Sequence, residues 1–571
     1  MANYFTDNAD IHYYLNDLRL SRVIELREKG YTEHSTYSFA PEDFEDALDN
    51  CHRVLSLVGE IAAETLAPTA SGNDREGCRL ENNEVSYAQG TQEALRRFAQ
   101  ADLCGFTLPR KYGGLNFPLT VYLMAIEMVS QADAGFMTLF GLQEIAETIR
   151  EFASPELKEK YLPKLASGEY TGAMVLTEPG AGSDLQAVRL KATYDEEEGC
   201  WFLNGVKHFI SNGCGDVLIV LARSEENVSG GRGLSLFLYE KDENLIVRRL
   251  EDKLGIRGSP TCELQFKNCR AHLIGQRKRG LSRYVMPLMN GARLAIGAQS
   301  IGIAQEAYNQ ALQYAKQRKQ FGKAIIEFPP VLEMLAAMRV RIEAARSLLH
   351  EASILVDMQH ALSHYGTKDK ETIREIKETG RFANLLTPMV KYYASEMCNR
   401  IAYDAVQIFG GAGYMRDFEI ERLYRDARIT TIYEGTSQLQ IIGAIGGIIS
   451  GLFFKMLDNK MRKTYPESFN PLIKKMRACE KILKKASICV KAQNDPVYTE
   501  HHARGMVDMA AETLMAVLML EKARESDRRF MLAKRFVEDT FYRVQMIAEK
   551  IINSHETPVD ENRQIVDVSF Q

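Results

Sequence analysis

Leu203-Asn-Gly-Val-Lys-His-Phe-Ile-Ser-Asn-Gly213 interrupts a chain whose other long stretches read as helix. Its β-formers lie between two Asn-Gly pairs, so it predicts a hairpin with a turn at Asn204-Gly205, a strand, and a second turn at Asn212-Gly213. Neighbouring segments at 201–203, 217–221, 234–239 and 263–266 are also short, rich in β-formers and separated by Gly, Asn and Asp. Residues 171–280 therefore read as a small β-domain set between helical regions.

On the N-terminal side, Leu48, Val54, Leu55, Val58 and Ile61 recur at three- and four-residue spacing between 44 and 66. Helical patterns follow at 119–131 and 136–153, and Pro155 starts another. On the C-terminal side helical periods span 283–317, 330–363, 368–409 and 436–458, and 470–555 adds a helical stretch interrupted only by Pro496. The expected fold class is α+β and mainly helical. It divides into an N-terminal extension and helical domain over 1–170, a middle β-domain over 171–280, a four-helix-type bundle over 281–455, and an extra helical domain over 456–571.

A chain of 571 residues exceeds one ordinary core, and 45% apolar with 26% charged residues suits a soluble globular protein. A net charge of -5 argues against a general nucleic-acid binder. The ten cysteines form no Cys-x-x-Cys pair, which excludes a zinc ribbon and fits free thiols in a reducing compartment, with no metal site expected. The N-terminus lacks the basic and apolar regions of a signal peptide, and Val568-Ser-Phe-Gln571 carries no peroxisomal or ER signal. The expected location is the cytoplasm, or the mitochondrial matrix in a eukaryote. The longest apolar run, 441–454, is shorter than a bilayer span and contains four glycines. Residues 455–491 hold eleven Lys/Arg against three Asp/Glu and follow Leu452, Phe453 and Phe454. This run reads as a solvated helix face or subunit contact, with an anionic membrane surface as the alternative.

The chemistry is concentrated in a few loops. Thr431-Ile-Tyr-Glu-Gly-Thr-Ser-Gln-Leu-Gln440 holds one acid, Glu434, in a stretch without other charge. An apolar setting raises a carboxyl pKa toward neutrality, which suits a general base for a weakly acidic C–H. Taken alone, the stretch reads equally as a loop with an exposed Glu. Leu176-Thr-Glu-Pro-Gly-Ala-Gly-Ser-Asp184 is a Gly/Pro loop that lets backbone N–H groups approach a ligand and offers the Thr177 and Ser183 hydroxyls, or is a plain turn. Phe209 can cover a flat ring and Ser211 can bond its edge, or Phe209 is a β-core aromatic; His208 reads as structural. Leu254-Gly-Ile-Arg-Gly-Ser259 is a second loop of this kind. Arg318-Lys-Gln-Phe-Gly322 and Gln407-Ile-Phe-Gly-Gly-Ala-Gly-Tyr414 follow long helices. The first can hold an anionic phosphate and cap a base, the glycines of the second permit close backbone approach to a ligand, and either also reads as an ordinary helix C-terminus.

The order and separation of these stretches resemble the acyl-CoA dehydrogenase family over about residues 60–450. The resemblance implies three domains enclosing FAD. It places Met174, Leu176, Thr177 and Gly182 along the flavin, with Ser183 also turned toward the CoA arm. Phe209, Ile210 and Ser211 would pack on and bond the isoalloxazine, although many relatives carry Trp and Thr at the outer two positions. Arg318, Phe321, Gln407 and Gly411 would reach the ADP half of FAD across a subunit interface, implying a homodimer or homotetramer. Thr436 and Gln438 would also touch FAD, and Arg293, Tyr433 and Gly435 would line the substrate site. Glu434 matches the family's catalytic base. The alternative base position of some relatives is here Ala292, which cannot take a proton. Phe328-Pro329-Pro330 stands where relatives often have a Gln.

The implied reaction is α,β-dehydrogenation of an acyl-CoA to a trans-2-enoyl-CoA. Glu434 would remove the α-proton, flavin N5 would take the β-hydride, and an electron-transferring flavoprotein would receive the electrons. An acyl-CoA oxidase of the same fold is the alternative, and a scaffold without FAD is the non-enzyme reading. The helical tail resembles that of the larger subclass of the family.

Overall fold

The computed structural model describes residues 2–553 and 559–566; the C-terminal tetrapeptide Val568–Gln571 lies outside them. The middle region is a seven-stranded sheet. Its strands run in the order Gly172–Val175, Val217–Arg223, Lys191–Asp195, Cys200–Ser211, Thr261–Ile274, Leu234–Glu240, with Leu245–Leu250 paired to Thr261–Ile274. Val217–Arg223 also pairs antiparallel with Leu234–Glu240, which closes the sheet on itself and removes a free edge. Strand alternation splits the side chains in two. Phe237 and Tyr239 point inward with Trp201, Leu203 and Phe266, while Leu236 and Leu238 pack outward against Ile149, Tyr161 and Leu165 of the N-terminal helices. That outward layer seats the β-domain on its helical neighbour.

The turn expected at Asn212-Gly213 is present, but the one expected at Asn204-Gly205 is not. Cys200–Ser211 runs straight through Asn204-Gly205 as one strand, with a register shift against Thr261–Ile274 between Leu203 and Gly205. Asn204 Oδ1 accepts from the Asn268 N–H at 2.9 Å, and Gly205, at φ 142°, lets the bulge pass Leu190. The chain reversal comes earlier, where Asp195 Oδ1 accepts from the N–H groups of Glu197 and Glu198. Asn-Gly thus serves a β-bulge, which needs the same backbone freedom as a turn.

The C-terminal bundle is built on three long helices, Met286–Gln317, Pro329–Tyr365 and Lys370–Phe409. Two stretches expected as single helices are split. Residues 136–153 divide into Ala134–Leu142 and Ile145–Phe152, because the Gln143 side chain is held by Leu165 O, Tyr170 O and the Gly172 N–H at the break. Residues 436–458 divide at Gly451, φ 88°, into Ser437–Ile449 and Leu452–Met461, bent by 73°. The tail breaks before Pro496 and again between Lys522 and Asp527. The strands Gly172–Val175, Lys191–Asp195 and Leu245–Leu250 were not among the segments expected.

The tail packs on the bundle. Phe453 and Phe454 are buried, and Lys455, Lys460, Lys463 and Lys475 pair with Glu378, Glu351, Glu521 and Glu538. The apolar side chains and much of the charge proposed for membrane contact are therefore spent inside the molecule, which corrects that alternative. Among the described residues no single helix is long and apolar enough to cross a membrane. The N-terminal extension is tied in through Asp10, which meets Arg339, Arg346 and the tail's Arg529.

Candidate active site

Glu434 stands in the turn that leads into Ser437–Ile449, with φ 54°, and Gly435 follows at φ 90°. A non-glycine residue in this region is uncommon and persists only where its surroundings hold it. Three contacts do so. Lys391 Nζ donates to Gly435 O at 2.7 Å, Gln440 Nε2 donates to Glu434 O at 3.2 Å and to Gly435 O at 3.0 Å, and the Ser437 N–H donates to Thr431 O at 3.0 Å. A Cβ at Gly435 would lie 2.6 Å from Gln440 Nε2, so this position requires glycine.

The turn presents a half-buried carboxyl group with one oxygen left unpartnered. Glu434 Oε2 is shielded from solvent and has no hydrogen-bond partner among the described residues. Burial lifts its pKa to about 7, against the opposing pull of Lys391 and Arg293. Lys391 is itself brought down to about 7 by burial. Neither cation pairs directly with the carboxylate: Arg293 Nη1 donates to Asn290 Oδ1 at 3.0 Å, and Lys391 is spent on the Gly435 carbonyl. A carboxylate poised near neutrality with no internal partner is ready to take a proton from a bound molecule. Tyr433 donates its hydroxyl to Gln299. A cavity of about 490 Å³ adjoins the site, and Asn290, Ala292 and Met174 line it. This volume lies in the range of small-molecule sites.

Met174, Leu176 and Thr177 close and follow the strand Gly172–Val175. Lys207, fully buried, binds them to the next strand by donating to Leu176 O at 2.7 Å and pairing with Glu178 at 3.0 Å. The His208 N–H donates to Thr177 O at 3.0 Å. The loop is thereby fixed beside Phe209, Ile210 and Ser211, with Gly182 and Ser183 exposed at its tip. Phe209 is not a core aromatic. It is 58% exposed with φ 60°, and its ring stacks on His208 at 3.9 Å. His208 is held by Glu251 at 2.7 Å, in a network where Arg248 and Arg249 neutralise Glu263. An open aromatic face beside a backbone-rich loop fits a flat ring such as a flavin.

The remaining expected ligands lie elsewhere. Thr436 caps Ser437–Ile449 and Gln438 is exposed on its first turn, both close to Glu434 in the chain. Arg318 and Phe321 follow the far end of Met286–Gln317, and Gln407 and Gly411 lie at the end of Lys370–Phe409. Tyr314 stacks on Phe409 at 4.1 Å and joins these two ends. By the helical rise Arg318 stands about 38 Å from Arg293, and Gln407 about 24 Å from Lys391 on its own helix. Within one chain the structure therefore does not bring Arg318, Phe321, Gln407 and Gly411 to Glu434. Lys391, Lys207 and Gln440 were missed in the sequence. The lone charge of Lys391 in the apolar run 382–395 was the available signal.

The described geometry accords with known proteins. Family descriptions match consecutive parts of the chain: the acyl-CoA dehydrogenase N-terminal domain at 50–169, its middle domain at 173–269, its C-terminal domain at 279–445, and a further acyl-CoA dehydrogenase C-terminal region at 449–551. The chain belongs to the acyl-CoA dehydrogenase family. It is thus an oxidoreductase of an FAD-dependent family that dehydrogenates acyl-CoA thioesters. It is 34% identical over 429 residues to 3-methylmercaptopropionyl-CoA dehydrogenase of Ruegeria pomeroyi, covering 70% of each chain. Butyryl-CoA dehydrogenase from Megasphaera elsdenii is 31% identical with a TM-score of 0.61, over 70% of this chain and 98% of that one. An acyl-CoA dehydrogenase from Bacillus anthracis shares the fold with its tail, at a TM-score of 0.76 and 24% identity over 93% of this chain and 92% of that one.

Proposed function

We propose that this enzyme converts an acyl-CoA to its trans-2-enoyl-CoA, with Glu434 as the base that removes the α-proton. The observation that carries this reading is the half-buried Glu434 carboxyl, with its Oε2 shielded and unpartnered and its pKa raised to about 7. The α-proton of a thioester is too weakly acidic for a carboxylate in water. Burial makes Glu434 a stronger base, and the left-handed turn aims it. Backbone N–H groups of the turn are suited to bond the thioester oxygen and stabilise the charge that develops there. Arg293 and Lys391 keep the carboxyl partly ionised at neutral pH, while their other contacts prevent them from capping it.

FAD supplies the acceptor for the two electrons that leave with the β-hydrogen. Met174, Leu176, Thr177, Gly182, Ser183, Phe209, Ile210 and Ser211 would hold its ring system, and Thr436 and Gln438 would touch it beside the base. Ser183, Arg293, Tyr433 and Gly435 would line the thioester. Arg318, Phe321, Gln407 and Gly411, remote from Glu434 in their own chain, would serve the site of a second copy in a homodimer or homotetramer. The exposure of Phe321 at 94% and Tyr414 at 81% supports that reading. The electron acceptor would be an electron-transferring flavoprotein. Ten free cysteines fit a reducing, cytoplasmic setting.

The test is anaerobic titration of the purified flavoprotein with a panel of acyl-CoAs, followed by the visible flavin band. Bleaching by a thioester, lost in Glu434→Gln while FAD stays bound, is the expected result. Full bleaching by the variant would move the base elsewhere.

A further inference from the structure

The cavity beside Glu434 is not a plain hydrocarbon pocket. Near the helix that carries Arg293 it is lined by Leu288, Ala292 and Ala295, as an acyl chain requires. It is also lined by Arg27, Thr107, Glu144, Glu147 and His360, which are bonded to one another or to a shared neighbour. Thr107 Oγ1 lies 2.9 Å from Glu144 Oε1 and 3.0 Å from Glu147 Oε1. Its one proton satisfies one of these oxygens, so the other carboxyl must carry a proton of its own. Arg150 pairs with Glu147 at 2.7 Å, while burial and the neighbouring Glu147 push Glu144 up to about 8. Glu144 is therefore the protonated partner at neutral pH.

The two arginines near this polar group already hold protein acceptors through Nε and Nη2. Arg27 donates to the carbonyls of Asn116 and Thr107. Arg150 meets Glu147 and donates to His360 Nε2 at 2.9 Å, which requires that ring nitrogen to be unprotonated. Glu144 Oε2 has no hydrogen-bond partner among the described residues. Beside Gln359, Ser363 and Asn384, whose side chains can donate as well as accept, the wall offers an incoming group the unfilled acceptor Glu144 Oε2. A saturated tail covering it would strip water from that oxygen and give no hydrogen bond back. A terminal carboxylate would meet the Glu147 carboxylate, whose Arg150 partner is already paired with it.

We propose that this wall selects acyl-CoA thioesters whose acyl chain carries a hydrogen-bond-donating group, a hydroxyl or an ammonium, toward its distal end. Arg27 gives the N-terminal extension a part in this selection, because it precedes the residues matched to the family's N-terminal domain, 50–169. The inference rests on the dehydrogenase reading above.

The test uses the purified holoenzyme in a dye-reduction assay. Butanoyl-, hexanoyl- and octanoyl-CoA are compared with their ω-hydroxy, ω-amino and dicarboxylate counterparts. At one chain length or more, the hydroxy or amino ester should exceed the alkyl ester in kcat/KM by at least about tenfold, since sites built for a polar group discriminate strongly against its absence. Glu144→Leu should reverse that order, and the isosteric Glu144→Gln should retain it for the hydroxy ester. Preference for the alkyl or dicarboxylate ester at every length overturns the proposal while leaving the dehydrogenase reading intact. If no thioester of any kind is oxidised, the dehydrogenase reading itself falls. The wild-type panel decides the matter even where a variant does not fold.

Discussion

Lys391 and Gly435 are joined by a 2.7 Å hydrogen bond that links the Lys370–Phe409 helix to the turn carrying Glu434. The lysine therefore does two things: it holds a left-handed backbone in place, and it sets a positive charge near the carboxylate without capping it. Replacing it with methionine removes the charge that lowers the Glu434 pKa. The acidic limb of the kcat/KM profile, where Glu434 loses its proton, should move upward by about one unit or more, with a roughly tenfold loss at neutral pH and a smaller loss at high pH. A purely structural role would lower activity equally at every pH, and the pH profile separates the two.

Glu434 also predicts a pH-dependent stability. Its folded pKa of about 7 lies above the ordinary value of 4.5, so the folded protein favours the protonated acid. That contribution is fully present below about pH 4.5 and is lost as pH rises through 7. Glu434→Gln keeps the neutral form at all pH values. The variant should be more stable than wild type at pH 8, by up to about 3 kcal/mol, and equal to it near pH 4.5. Denaturant unfolding of the two proteins across this range measures the difference; a gap that does not change with pH would contradict the assignment.

Helical and β regions were legible from periodicity and from the clustering of glycines, and Glu434 from its isolation among uncharged neighbours. What escaped the sequence was set by contacts distant along the chain. The break at Gln143 depends on carbonyls at Leu165 and Tyr170. Asn204-Gly205 carries the same two residues for a bulge as for a turn, and only its pairing with Thr261–Ile274 decides between them. Lys391 and Lys207 look like surface lysines until the fold buries them. Distance along the Met286–Gln317 helix, rather than any motif, separates Arg318 from Glu434.

Lys207 should prove a structural lysine with a functional consequence. It is buried with Glu178 and anchors the loop beside Phe209. Lys207→Met leaves the Glu178 carboxylate buried without its cation, which costs about 3–5 kcal/mol. Pairing it with Glu178→Gln should recover part of that loss in chemical denaturation, because the stranded charge is gone. Flavin content should remain low in both, because neither restores the anchor to Leu176 O.

Arg318 tests the assembly. Its position at the end of Met286–Gln317, about 38 Å from Arg293 by the helical rise, prevents it from serving the site of its own chain. If a second copy completes each site, Arg318→Ala should reduce flavin retained after dialysis while leaving the protein folded, since the side chain is exposed. Phe321→Asp, at a residue 94% exposed, should weaken self-association and flavin retention together, as read by sedimentation and absorbance on the same sample. The charge costs little on a monomer surface and much inside an apolar interface. Loss of association with full flavin retention would place the cofactor site within a single chain.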